Sequence, residues 1–84
     1  MKYELVYPPR AIRDISKLDP AVKKRIGATL LRYKENPLHY AEKLTDSDLG
    51  TYRFRIGDYR VIFDIEDHQI VILRIGHRRE IYKR

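Results

Sequence analysis

Segment 52–63 reads YRFRIGDYRVIF and alternates apolar with polar side chains on both sides of Gly57-Asp58. A period of two is typical of a strand with one buried face, and a two-residue loop that begins with glycine favours a type II′ hairpin turn. The segment therefore predicts two antiparallel strands, at 52–56 and 59–66, joined by a tight turn.

The register of this hairpin sorts its side chains onto two faces of the sheet. One face is nearly all apolar and is expected to meet the hydrophobic core. With the last strand, this face carries Tyr52, Phe54, Ile56, Tyr59, Val61, Phe63, Ile65, Ile70 and Ile72. The other, outer face carries Arg53, Arg55 and Arg60, and like charges at the facing positions 55 and 60 cost about 0.2–1 kcal/mol, a conflict typical of functional sites. The alternative is a solvated ion network in which nearby carboxylates neutralise the arginines.

The rest of the chain predicts one small α+β domain, 1–84, with the element order β-α-α-β-β-β. Its other elements are a first strand at 2–7, a helix from Pro9 to about Lys17, a second helix from Pro20 to about Glu35 and a last strand at 69–75. Asp19 is expected to cap the second helix. The polar stretch 37–51 lacks a clear period and indicates either a binding loop or a partly ordered, strand-like path. We expect the helix pair to pack on one face of a small antiparallel sheet.

Composition limits the classes of function that are open to the chain. Its 84 residues include no cysteine, which excludes disulfides and thiolate metal sites, and no apolar run is long enough to span a bilayer. A soluble protein of the reducing cytoplasm is therefore expected. The net charge of +6 attracts nucleic acid or an acidic partner. From Tyr52 onward, seven of the eight basic residues are Arg, whose forked guanidinium group binds phosphate oxygens in pairs.

An apolar patch accompanies the arginines on the outer face. Its members are Ile62, Val71, Leu73 and Ile75. Such a patch is too apolar to be exposed on a monomer and is typical of a surface that binds a protein partner. The alternative is that the C-terminal residues Ile81 and Tyr82 fold over it.

Three motifs along the chain form a specific combination. They are Lys43-Leu44, the segment 52–61, and Ile75-Gly76-His77-Arg78-Arg79-Glu80-Ile81-Tyr82. In this order, with the elements predicted above, the whole chain resembles the RelE/ParE superfamily of toxins from bacterial and archaeal toxin–antitoxin pairs. The resemblance implies a RelE-like toxin that enters the ribosomal A site and cleaves mRNA. Its partners would be the ribosome, mRNA and an acidic antitoxin, whose helix or strand would lie across Ile62, Leu73 and Ile75.

The reaction that the resemblance implies needs no metal or other cofactor. The ribose 2′-OH attacks the adjacent phosphate and leaves a 2′,3′-cyclic phosphate and a free 5′-OH. Such chemistry requires a proton acceptor for the 2′-OH, a proton donor for the 5′ oxygen and cations around the phosphorane. The residues themselves point the same way, since His39, His68 and His77 have no ligand spacing and no metal site is predicted.

The resemblance also implies roles for individual residues. Arg60 and Arg78 match two arginines that bind the scissile phosphate, and Tyr82 matches a C-terminal aromatic residue that stacks on or activates the nucleotide. Arg53 and Arg55 match basic positions of the second strand. The implied catalytic set is Arg55, Arg60, His77, Arg78 and Tyr82, and the implied RNA-binding set is Lys43, Arg53 and Arg79.

The general base stays open between two side chains. Some relatives have Lys at the positions of Arg53 or Arg55, and a lysine can lose its proton when its neighbours lower its pKa, whereas an arginine essentially cannot. Tyr82 is one candidate because arginines favour its phenolate, and His77 is the other because histidine titrates near neutrality. Thr45 also departs from the resemblance, since a further basic residue is expected there in the nuclease branch.

Two other functions stay open. The first is a ParE-like toxin that poisons DNA gyrase without nuclease chemistry, although relatives of that branch generally lack the full set of arginines with a terminal Tyr. The second is a plain nucleic-acid-binding module, which the charge alone suggests. The second is disfavoured because the outer face lacks the exposed aromatic pair on which RNA bases stack.

Overall fold

The computed structural model describes residues 2–45 and 48–82. The elements are β1 (Glu4–Val6), α1 (Pro9–Ser16), α2 (Pro20–Tyr33), α3 (Pro37–Tyr40), β2 (Glu42–Lys43), β3 (Tyr52–Ile56), β4 (Tyr59–Glu66) and β5 (Gln69–His77). The predicted order of elements is confirmed, and the stretch 37–51 adds a short helix and a two-residue strand. Within the described ranges, no helix is long and apolar enough to cross a membrane.

The five strands form one sheet in the order β1-β5-β4-β3-β2. Strands β2 to β5 pair antiparallel with their neighbours, as expected, whereas β1 pairs parallel with β5. The expectation of a purely antiparallel sheet is therefore wrong at this edge. Parallel neighbours need a long crossover connection, and the helices together with β2, β3 and β4 supply it here.

Each of the three helices begins with a proline at its first position, where a missing N–H has no cost. Asp19 lies at the N-cap of α2, but its carboxylate makes no capping hydrogen bond, so that expectation is wrong. Ala11 of α1 and two residues of α2, Ile26 and Leu30, are buried against the sheet. The helices therefore cover one face of the sheet, and we call the opposite face the outer face.

The β3–β4 hairpin has the predicted register. Arg55 pairs with Arg60, and Ile56 pairs with Tyr59 across the turn. Gly57 has a φ of 60°, the value that the first loop position of a type II′ turn requires and that glycine adopts without strain. The alternation of apolar and polar residues therefore determined the two faces of this hairpin correctly.

A β-bulge at Leu73 changes which side chains of β5 reach the core. The pairing of β4 with β5 shifts by one residue between Ile62 and Phe63, so that Leu73 has no partner on β4. An extra residue exchanges the inward and outward positions of the strand beyond it. Ile75 therefore pairs with Val61 and lies in the core with 3% exposure. The expectation that Ile75 belongs to the outer face is wrong.

The C-terminal turn covers part of the outer face. Ile81 is buried, and its Cδ1 would lie 3.3 Å from a β-carbon placed on Gly76. The turn is held by a 2.9 Å hydrogen bond from Ile81 N to His77 O. Ile62 is fully buried and Leu73 is half-buried. Contrary to expectation, Ile62 is therefore not on the surface. Gly50 lies close to both Ile62 and Leu73, and Ile81 of the C-terminal turn lies over the neighbouring Gly76.

We expect Gly50→Ala to lower the free energy of unfolding by about 1–3 kcal/mol. Gly50 is buried with a φ of 153°, and a β-carbon there would lie 2.7 Å from Ile62 Cγ2 and 2.9 Å from Leu73 Cδ1. The control is Gly27→Ala inside α2, where nothing lies within 4 Å of the new β-carbon, and a gain of about 0.5–1 kcal/mol is expected. Urea unfolding measures both, and equal stabilities would contradict the prediction.

Candidate active site

The three hairpin arginines lie together on the outer face. Phe54 and Val61 pair with each other and belong to the core, so the neighbours that alternate with them point outward. The exposed fraction of the side chain is 30% for Arg53 and 59% for Arg55, whereas Arg60 retains only 7% of its surface. Arg55 is therefore the most accessible of the three, and Arg60 is the most firmly held.

Arg53 connects β3 with the C-terminal turn and with β2. Its Nη1 donates a 2.8 Å hydrogen bond to Tyr82 Oη, and its Nε donates a 3.2 Å hydrogen bond to Glu42 Oε1. The guanidinium carbon also lies 5.8 Å from the centroid of the Tyr82 ring. The hydrogen bond to Tyr82 is the main cause of a raised pKa of Arg53; Glu42 contributes in the same direction and burial opposes both. The hydrogen bonds to Tyr82 and Glu42 therefore favour the charged form of Arg53.

Tyr82 brings its hydroxyl group to the arginines. Because Arg53 donates to the hydroxyl oxygen, the hydroxyl hydrogen remains free to be donated, and the ionised oxygen would retain lone pairs that can accept a proton. The side chain is half-buried and therefore still meets solvent. Of the two side chains left open as the general base, Tyr82 is the one that lies beside an outer-face arginine.

His77 lies on the face of the sheet opposite to the arginines. It pairs with Tyr59, whose ring packs on the core, and the two rings meet edge to face with centroids 5.4 Å apart. Its Nδ1 accepts a 3.1 Å hydrogen bond from Arg79 N. In the neutral ring the proton is then on Nε2, and Nδ1 is occupied by the backbone N–H. Although Arg78 follows His77 in the chain, the structure places His77 on the face opposite to Arg55 and Arg60.

Glu42 is a member of the site that the sequence analysis missed. It pairs with Arg53 across the strands, and its Oε1 lies 3.2 Å from Arg53 Nε and 3.8 Å from Arg55 Nε. A strand of two residues is too short to show a period, so the polarity of this stretch was the only signal for Glu42. Lys43, the other residue of β2, pairs with Tyr52 and is exposed on the opposite side of this edge strand.

Arg60 stabilises the hairpin turn and still offers donors to a ligand. Its Nη1 donates to Gly57 O at 2.9 Å and to Tyr59 O at 2.8 Å. In the described part of the chain, every fully buried side-chain nitrogen and oxygen has a hydrogen-bond partner. The Nε and Nη2 of Arg60 make no hydrogen bond to a described residue, so they must keep contact with solvent. Because only 7% of Arg60 is exposed, an anion would have to approach these two nitrogens over that small surface.

Arg78 brings the C-terminal turn to the tip of the hairpin. Its backbone N donates a 2.7 Å hydrogen bond to Asp58 O, and its Nε lies 3.5 Å from Asp58 Oδ1. Both side chains are more than half exposed, so the ion pair is open to exchange with another anion. Arg79 is exposed, and its backbone N binds His77 as described above.

The candidate site is a row of side chains that we call the arginine strip. Its members are Tyr82, Arg53, Arg55, Arg60 and Arg78. Outward residues that follow one another on a strand are about 7 Å apart, so several guanidinium groups of the strip can contact one phosphodiester. Among residues 2–45 and 48–82, no group of three or more His, Cys, Asp or Glu side chains could hold a metal ion.

A row of guanidinium groups on one face of a small α+β domain is suited to bind phosphates or acidic partners. The family model for the ParE toxin of the type II toxin–antitoxin system, parDE, matches residues 5–82. The chain belongs to this family and is the toxin of a toxin–antitoxin pair. The predicted resemblance is confirmed.

Similar proteins agree with this assignment. The toxin RelG of Mycobacterium tuberculosis is 34% identical over 91 residues, with all of both chains covered. The mRNA interferase toxin RelE of Escherichia coli is 28% identical, with 98% of this chain and 92% of that protein covered. A chain of the toxin–antitoxin complex RelBE2 of M. tuberculosis has a TM-score of 0.84 and 30% identity over 93% of this chain and all of its own. A chain of the archaeal RelE–RelB complex from Pyrococcus horikoshii has a TM-score of 0.75 and 26% identity over 95% of this chain and 99% of its own.

Proposed function

We propose that this toxin is a ribosome-dependent endoribonuclease that cleaves mRNA in the A site, and that it acts in the cytoplasm. The observation that carries the proposal is the hydrogen bond between Arg53 and Tyr82, which joins a side chain that can exchange a proton to a row of guanidinium groups. The similarity to a relative that is named an mRNA interferase supports the same activity.

In the proposed reaction, the 2′ oxygen of the ribose forms a bond to phosphorus, and the bond from phosphorus to the 5′ oxygen breaks. Tyr82 Oη, once its own proton has passed to water, accepts the proton of the 2′-OH, and the 5′ oxygen takes up a proton from water. The products are a 2′,3′-cyclic phosphate and a 5′-OH. Negative charge grows on the phosphorane oxygens, and cations fixed in advance lower the energy of that state.

Arg55, Arg60 and Arg78 bind the scissile phosphate in this proposal, and Arg53 positions Tyr82. Arg60 suits the role because its two bonds to the turn hold the guanidinium in place while Nε and Nη2 stay available. His77 has no part in the proposal because it lies on the other face. Lys43 and Arg79 remain predicted contacts to the RNA backbone.

The proposed protein partner is an acidic antitoxin, as in the solved RelE–RelB complexes. The net charge of +6 favours such a partner, and Leu73 keeps a half-buried apolar surface beside the arginines. Ile62 is fully buried and could take part only if the residues that cover it moved, and Ile75 is in the core and has no part. A partner bound on the outer face would neutralise the arginine strip and block access of RNA.

The decisive experiment is a cleavage assay with the purified toxin on ribosomes that carry a defined mRNA. Cleavage in the A-site codon, with a cyclic phosphate at the new 3′ end, supports the proposal. The family model is that of the ParE toxin, so inhibition of DNA gyrase is the second candidate. Inhibited supercoiling without any cleavage of mRNA would reverse the ranking.

We expect Glu42→Gln to tighten RNA binding by about two- to fivefold, because Gln cannot neutralise Arg53 and Arg55. The probe is a fluorescent 2′-O-methyl RNA hexamer, which lacks the attacking 2′-OH, and fluorescence anisotropy gives the Kd. The control is Glu66→Gln, which changes the net charge equally at an exposed position at the far end of β4. If both variants bind the hexamer equally well, Glu42 does not restrain the arginines.

A further inference from the structure

Arg25 reaches the tip of the β3–β4 hairpin from helix α2. A β-carbon placed on Gly57 would lie 2.8 Å from Arg25 Nη1 and 2.9 Å from Arg25 Nη2. The guanidinium group of Arg25 thus packs against the bare α-carbon of this glycine, and any side chain at position 57 would have to displace it. The glycine is therefore needed for two reasons, its positive φ and the space that Arg25 occupies.

Three arginines from three different elements converge on this tip. Arg25 contacts Gly57, Arg60 donates to Gly57 O, and Arg78 lies 3.5 Å from the Asp58 carboxylate. No carboxylate of residues 2–45 or 48–82 forms an ion pair with Arg25 or Arg60. Asp58 is the one carboxylate of the described residues that forms an ion pair with any of the three, so a surplus of positive charge at the tip favours the binding of an anion there.

The position of the tip indicates which anion this is. The tip lies at the end of the arginine strip, and the proposed reaction already assigns Arg60 and Arg78 to the scissile phosphate, so Arg25 is the cation of the three that is left for another phosphate. Arg25 reaches the tip from the helix-covered side, so a chain of phosphodiesters that runs along the strip and continues past the tip would place a second phosphate beside it. Arg25 offers it a planar pair of N–H donors, which match two phosphate oxygens.

We propose that Arg25 and the hairpin tip form a second phosphate-binding site, which takes an RNA phosphodiester other than the one that is cleaved. The identity of the ligand rests on the proposed function, whereas the convergence of cations does not. The phosphodiester can belong to the message or to ribosomal RNA, because both present the same chemistry. Arg25 in this role holds RNA and takes no part in the proton transfers.

The test compares Arg25→Gln with Lys24→Gln. The control removes one positive charge from the preceding residue of α2, whose side chain points about 100° away around the helix. With the uncleavable RNA hexamer, Arg25→Gln is expected to raise the Kd by about two- to fivefold and to flatten the plot of log K against log salt by about 0.7, as expected for one lost phosphate contact. The control is expected to leave the slope unchanged.

A second arm measures binding to ribosomes that carry no message. A selective loss for Arg25→Gln with the hexamer assigns the phosphate to the message, and a selective loss with the empty ribosome assigns it to ribosomal RNA. If the two variants match in both arms, the inference is overturned, although cleavage by the unaltered toxin would leave the proposed function standing. The proposed function fails if the unaltered toxin cleaves no mRNA. If Arg25→Gln nevertheless flattens the salt dependence of RNA binding, the phosphate site stands.

Discussion

Tyr82→Phe is expected to slow the cleavage of mRNA on programmed ribosomes by about 10²–10⁴-fold, the contribution of one positioned proton acceptor. Phenylalanine keeps the aromatic ring and removes only the hydroxyl group that accepts the 2.8 Å hydrogen bond from Arg53. The binding of substrate should change little, because Arg55, Arg60 and Arg78 are retained. The loss should therefore occur in kcat and not in KM. Single-turnover cleavage with saturating toxin measures it.

The control for this prediction is Tyr40→Phe. Tyr40 is 41% exposed and stacks, with ring centroids 4.0 Å apart, on Tyr33, which packs against the core on the helix-covered side of the sheet, so its hydroxyl group should not matter for cleavage. A second check uses Arg53→Gln. If Arg53 acts by positioning Tyr82, the double variant should lose little more than Tyr82→Phe alone, since residues that act as a unit are not additive. Full cleavage by Tyr82→Phe would remove Tyr82 from the mechanism.

Arg60→Ala is also expected to lose most of the cleavage, but it is the less informative variant. Its Nη1 holds two carbonyl groups of the hairpin turn, so its removal would weaken the turn as well as the phosphate site. The same side chain thus serves both the fold and the proposed reaction. This double use explains why the sequence could place two arginines opposite one another: one of them, Arg60, is fixed by the turn, and the other, Arg55, extends into solvent.

The sequence predicted every residue pair of the β3–β4 hairpin correctly because two independent signals agreed there. The period of two set the faces, and Gly57-Asp58 set the register through the turn that it favours. The helices were predicted for similar reasons, with prolines at their first positions. Where local signals of this kind agree, tertiary packing stabilises the same structure that they specify.

The sequence could not predict the bulge at Leu73, because segment 70–75 reads IVILRI and has apolar residues at both alternate sets of positions. Either set could face the core, so nothing marked the extra residue that turned Ile75 inward. Glu42 was missed for a different reason. Its place beside Arg53 depends on a two-residue edge strand that only the folded sheet defines. The outward positions of the arginines on β3 and β4 were therefore predicted, whereas Glu42 at the edge and the position of His77 on the other face were not.

Asp14 stabilises the second half of β5, where β1 no longer pairs with it. Its carboxylate accepts hydrogen bonds from Arg74 Nε at 2.8 Å, from Arg74 Nη2 at 3.4 Å and from Ile75 N at 3.0 Å, although only 11% of the side chain is exposed. The carboxylate thus takes the place of a neighbouring strand for the backbone just after the bulge. It also fixes α1 to the strand that leads into the C-terminal turn and Tyr82.

Asp14→Ala is therefore expected to lower the free energy of unfolding by about 2–4 kcal/mol, because it leaves a half-buried guanidinium group and a backbone N–H without their partner. Urea unfolding followed by circular dichroism measures the loss. The control is Asp19→Ala, which makes the same change where the carboxylate forms no capping hydrogen bond, and a change within about 0.5 kcal/mol is expected there. Equal losses in the two variants would show that the carboxylate of Asp14 does not hold β5. A selective loss in Asp14→Ala would show that one side chain of α1 contributes a large share of the stability of this small sheet, in addition to the pairing of its strands.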